Sequence, residues 1–174
     1  MTASTQRAVL RAALQASWRV MISVFVLAGM PLLGLAAAFG DLDDGTVRVR
    51  LVAYAVVLPL SLFLHELGHG VAYAALVARH GMRPVELFGV GRWSGGTIVR
   101  WRLSLGEDAI VAVAGPLLGV ACVLPMLAPG GPFLVGFPVA LVFGLHLASL
   151  RRTADDGAQA RAVWRGADER ARAA

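Results

Sequence analysis

LVAYAVVLPLSLFLHELGHGVAYAALV, residues 51–77, is an apolar run long enough to cross a bilayer, and His65-Glu66-Leu67-Gly68-His69 lies within it. On a helix the two histidines, at i and i+4, share one face one turn apart, where two imidazoles can grip one zinc ion. Glu66 points about 100° away, so it reaches a water at the metal without being a ligand. Charged groups at mid-membrane cost about 2.5 to 3.5 kcal/mol each even on the lenient insertion scale. A soluble helix can acquire the same five letters by accident and solvate them, whereas a helix in lipid has no such outlet. The run therefore reads as a membrane helix that presents a metal-binding pair, His65 and His69.

Working outward, the composition agrees with a membrane protein. Apolar residues make up 57% of the 174-residue chain and charged residues 16%, against roughly 25% charged in a soluble domain. The pI of 10.9 would suit a nucleic-acid binder, but the arginines cluster at the edges of the apolar spans. The implied partner is the lipid bilayer, not nucleic acid. All sixteen basic residues are arginine, for which there is no physical account. The single cysteine, Cys122, excludes an internal disulfide and a Cys-rich metal site. The length suits one membrane domain.

Hydropathy predicts four spans, at residues 20–40, 51–77, 109–128 and 132–150. The flank before the first carries Arg7, Arg11 and Arg19, residues 78–108 carry five arginines, and the stretch after Leu150 carries six. Only Arg48 and Arg50 fall in the remaining links. The positive-inside rule then puts both termini in the cytoplasm. The first span reads as an uncleaved helix, because its apolar core of 21 residues is too long for a signal peptide.

Zinc takes a third protein ligand and leaves a fourth position open. Asp155 and Asp156, followed by Gly157, come after the fourth span on the same side, and His146 lies inside that span. Asp155-Asp156-Gly157 also reads as a solvated turn before a helix. His80, eleven residues past His69, is about three turns away, too far for the same metal, and reads as an interfacial side chain.

Three blocks in this order resemble the site-2 protease family of intramembrane zinc metalloproteases: the embedded His65 to His69 motif, then Ala114-Gly115-Pro116-Leu117-Leu118-Gly119, then Asp156-Gly157. The resemblance covers residues 51–157. It implies that His65, His69 and Asp156 bind one zinc per chain, that Glu66 is the catalytic general base, and that catalysis occurs in a water-accessible pocket within the membrane. The chain departs from the family pattern at Gly119, where asparagine is common, and at His146-Leu147-Ala148-Ser149, where an Asn-Leu-Leu-Pro type stretch is usual. Arg151 and Arg152 are also unusual so close to the ligand motif. Near the site, Pro59, Gly68, Gly70 and Gly115-Pro116 weaken helices, and the glycines read as close packing through small residues.

Residues 85–103 do not read as a spanning helix. Val, Phe, Trp and Ile surround Ser94-Gly95-Gly96, a hairpin turn, and Arg100-Trp101-Arg102 alternates as expected at a membrane interface. In the resembled family this region is a β-hairpin dipping into the membrane, which implies a strand edge able to accept an unwound substrate segment by strand addition. An amphipathic surface loop is the other reading.

The expected architecture is an all-α membrane protein of about four transmembrane helices, with a small β-hairpin loop between the second and third. Residues 1–19 form a cytoplasmic flank, 20–157 the intramembrane zinc metalloprotease core, and 158–174 a cytoplasmic Arg/Ala-rich tail that meets anionic lipid. The expected activity is zinc endopeptidase action on bonds in or next to transmembrane segments of membrane-protein substrates. A non-catalytic relative that binds membrane partners would show a lost base or ligand, yet His65, Glu66 and His69 are all present. A divalent-metal transporter would need a polar path through both membrane halves, whereas residues 20–40 hold no ionisable side chain.

Overall fold

The computed structural model describes residues 2–38, 45–82, 87–93 and 95–122, together with Gly144, His146 and Ala148. Thr2 opens the first helix, its hydroxyl accepting from the Thr5 N–H as an N-cap does. Helix α1 (Ala3–Val24), a π-helical turn (Phe25–Gly29) and α2 (Met30–Ala38) then run on as one 36-residue helix. That is about 54 Å, well beyond the roughly 30 Å of bilayer hydrocarbon. The arginine-bearing flank is thus the first part of the same helix that carries the first apolar span.

Helix α3 (Gly45–Arg79) takes in the whole 51–77 run, with Pro59 inside it. It ends in a Schellman motif: the Met82 N–H donates to the Val77 carbonyl and the Gly81 N–H to that of Ala78, with Gly81 at φ 69°, where glycine carries no Cβ penalty. Helix α4 (Leu105–Ala121) starts in a capping box made by Ser104 and Glu107. Two helices, Ala3–Ala38 and Val47–Arg79, are long and apolar enough to cross a membrane. The third expected span is described as far as Cys122. Of the fourth, Gly144, His146 and Ala148 are described, each helical, and the rest lies outside the described residues.

Strands β1 (Phe88–Arg92) and β2 (Gly95–Val99) pair antiparallel, Phe88 opposite Val99 and Arg92 opposite Gly95. The hairpin is where the sequence predicts one, but the turn begins at Trp93, directly after β1. Gly95 and Gly96 belong to β2, which corrects the expected Ser94-Gly95-Gly96 turn. The reason is packing: a Cβ on Gly96 would stand 2.2 Å from the Ala16 carbonyl oxygen, and one on Gly89 2.0 Å from that of Ala12. The hairpin lies on α1, whose buried stripe is Val9, Ala12, Ala13, Ala16 and Ser17, the i, i+3, i+4 pattern of one helix face. The Gln15 side-chain oxygen accepts from the Gly89 N–H, and Arg19 donates to the Gly91 carbonyl. Arg19 also lies over the rings of Trp18 and Trp93.

Two apolar clusters flank the centre of α3. Tyr54 and Leu58 pack with Val24, Ala28, Leu32 and Cys122, while Tyr73, Leu76, Val77 and Val111 pack with Ala72, Leu87 and Leu103. The His65 to His69 segment lies between them along the chain, with α4 against it.

Candidate metal centre

The backbones of α3 and α4 meet at the motif itself. A Cβ on Gly68 would lie 2.5 Å from the Ala114 carbonyl oxygen and 2.9 Å from the Gly115 Cα. This contact brings His69 onto α4, where its Nδ1–H donates to the Val111 carbonyl at 2.7 Å. A carbonyl only accepts, so the proton of the neutral ring is on Nδ1 and the Nε2 lone pair is left for a metal. The His69 ring rests on Gly115, where a Cβ would fall 2.3 Å from its Nε2. The two imidazoles stand edge to face at 80°, and His65 Nε2 lies 3.2 Å from His69 Nε2.

That spacing can be tested against zinc. Two nitrogens on one tetrahedral zinc, each at 2.0–2.1 Å, stand about 3.3 Å apart. The observed pair fits within about 0.2 Å, the tolerance proper to such a site. Glu66, the neighbour of His65, is buried at 8% exposure, as is His69. His146 is brought to the other side of His65, with their Nδ1 atoms 2.9 Å apart. Among the described residues no three His, Cys, Asp or Glu converge on one metal position. Asp155 and Asp156, the other two candidates for third ligand, lie outside the described residues.

No protein-family profile, curated protein or solved structure matches this chain.

His80 is remote from the pair, as its spacing predicts. Its Nε2 is 2.6 Å from Glu107 Oε1, at the first turn of α4. The Ser104 hydroxyl first, and His80 second, hold the Glu107 carboxyl below its ordinary pKa. Nearby, Arg100 pairs with Asp108 and lies over the Tyr73 ring, while Asp108 accepts from the Leu103 N–H. These contacts fix the strand-to-helix junction that delivers Val111 to His69.

Two contributors escape a reading of the sequence for chemistry. One is the Val111 carbonyl, a backbone group with no sequence signal. The other is Gly119, whose role is to leave room. Gly115 and Gly119 form a Gly-x-x-x-Gly pair within an apolar helix, a pattern of close helix approach, and that spacing was the available clue.

Proposed function

We propose that this chain is an intramembrane zinc metalloendopeptidase that hydrolyses peptide bonds in or next to transmembrane segments of membrane proteins. The observation that carries the reading is the convergence of His65 Nε2 and His69 Nε2 at 3.2 Å, with His69 oriented by Val111 and Glu66 buried beside them. The exposed apolar side chains along the first long helix and α3, such as Leu27, Val49 and Val56, support a lipid surrounding. So does the low burial of the two long apolar windows, 11% and 28%. The architecture in this reading has four spans with both termini cytoplasmic.

His65 and His69 hold the zinc, and Asp156 is the third ligand that the family resemblance implies. When bound, zinc supplies a Lewis acid that brings the pKa of water towards about 7 and polarises the scissile carbonyl. Glu66 takes the proton from the attacking water and returns it to the leaving amine nitrogen. Burial of Glu66 limits competing hydrogen bonds from bulk water to its carboxylate. The substrate is a peptide segment entering from the bilayer.

The first test is zinc stoichiometry in detergent-purified protein for wild type, His65→Ala, Asp155→Ala and Asp156→Ala. One zinc per chain is expected, lost in the His65 and Asp156 variants and kept with Asp155→Ala. Zinc that is absent, or indifferent to His65, would move the assignment to a non-catalytic membrane protein.

A further inference from the structure

The inference concerns His146 and rests on the zinc reading of His65 and His69. His69 is oriented by the Val111 carbonyl. What faces the Nδ1 of His65 is the Nδ1 of His146, at 2.9 Å, within hydrogen-bond range. The two rings lie within 21° of parallel with centroids 5.0 Å apart. That separation is long for face-to-face stacking and suits a bond running edge to edge in the ring planes. His146 is 2% exposed, so this geometry is not one pose of a surface side chain.

The space it occupies is made by α4. A Cβ on Gly119 would stand 2.7 Å from His146 Cε1, 2.8 Å from Nε2 and 2.9 Å from Nδ1. Gly115 and Gly119, one turn apart, thus admit two imidazoles side by side, the first that of His69 and the second that of His146. The Nδ1 of His146 is turned to the edge of His65 opposite the Nε2 that faces His69. A ring so placed orients a ligand and does not share its metal.

We infer that His146 is a positioning residue, seated in the notch at Gly119, whose Nδ1 accepts from His65 Nδ1–H and so holds His65 with its Nε2 turned to the metal. The two histidine ligands are then oriented by unlike partners. Val111 offers a carbonyl that can only accept, whereas His146 accepts at Nδ1 only while its own proton sits on Nε2.

The test is zinc affinity by chelator competition in the full chain in detergent, for wild type, His65→Ala, His146→Leu, His146→Asn and Gly119→Ala. Loss of an outer partner of a metal-binding histidine weakens the metal by about 10- to 100-fold. That loss is expected for His146→Leu and Gly119→Ala, with one zinc still bound at saturation. His146→Asn keeps a side-chain acceptor and is expected to restore most of the affinity. In the zinc-loaded wild type, imidazole nitrogen-15 spectra should show His146 protonated at Nε2 and accepting at Nδ1. His146→Leu at wild-type affinity, or His146→Asn as weak as His146→Leu, would overturn the positioning role alone. Loss of zinc stoichiometry in His146→Leu and His146→Asn alike, as in His65→Ala, would make His146 a ligand and overturn it too. A wild type whose zinc is absent or indifferent to His65→Ala would instead overturn the zinc reading on which this rests.

Discussion

The contact of α1 with the hairpin and that of α3 with α4 both depend on glycine, and they use it to different ends. Between α1 and the hairpin, Gly89, Gly91 and Gly96 bring backbone onto backbone, with the Ala12, Gln15 and Ala16 carbonyls where Cβ atoms would be. Between α3 and α4, Gly68 does the same against Ala114, but Gly115 and Gly119 open onto the rings of His69 and His146. The first contact is closed, and its content is adhesion. In the second, the missing side chains leave room that imidazoles fill, and its content is the orientation of two ring nitrogens. Small residues at helix spacing therefore do not mean the same thing everywhere; what stands opposite them decides.

The largest effect is expected where the histidine contact meets chemistry: Glu66→Gln should leave zinc bound and lower the cleavage rate by about 10²- to 10⁴-fold. Cleavage at the wild-type rate would remove Glu66 from the general-base role. Next, Gly115→Ala places a Cβ 2.3 Å from His69 Nε2, the atom proposed to bind zinc, and should weaken zinc by about 100-fold, the upper end for disturbed support. Limited proteolysis of the hairpin should not change in that variant; if it does, the two contacts are not independent.

The hairpin contact should behave in the opposite way. Gly89→Ala or Gly96→Ala overpacks backbone against backbone and should destabilise the fold by about 1–3 kcal/mol, while zinc affinity in the folded protein stays at wild type. By contrast, a Cβ on Gly70 would meet the Val9 side chain at 2.9 Å. That group can turn aside, so Gly70→Ala should cost less than either. Thermal unfolding of the three variants ranks them directly, and a Gly70→Ala variant worse than Gly96→Ala would undo the argument from what stands opposite.

The smallest effect concerns the first turn of α4, which reaches the histidine contact only through the helix it starts. Because the Glu107 carboxyl is held below its ordinary 4.5, its contribution to stability is present above the unfolded value and is lost as pH falls through the lower folded value. Amide-exchange protection at residues 105–108, corrected for the intrinsic rate at each pH, should therefore fall below about pH 4.5, and Glu107→Gln should abolish that dependence. The same profile in both proteins would mean that another group sets it.

The apolar runs were legible because a spanning helix is a local statement: every residue of 51–77 contributes to the same hydropathy sum, and α3 contains them all. The i, i+4 spacing of His65 and His69 was legible for the same reason, since helix geometry alone puts them on one face. The hairpin was legible in place but not in register, because Gly95 and Gly96 look like turn residues until Ala16 is seen against them. The continuity of α1 with α2 was hidden by the change from a basic, alanine-rich flank to an apolar span. That shift in composition marks a change in surroundings, while the backbone runs on.

Local pattern in the chain set the long helices, the length and apolar character that would let two of them cross a membrane, and a pair of imidazoles on one helix face. Only the tertiary structure decided which nitrogen of each ring is turned to the pair, that Val111 orients His69, and that His146, 81 residues from His65, comes to its Nδ1. The physical reason is the range of the interactions. Periodicity and hydropathy act between near neighbours in the chain, whereas ring orientation is set by an acceptor on another helix, which arrives only when two backbones close to the distance that glycine permits.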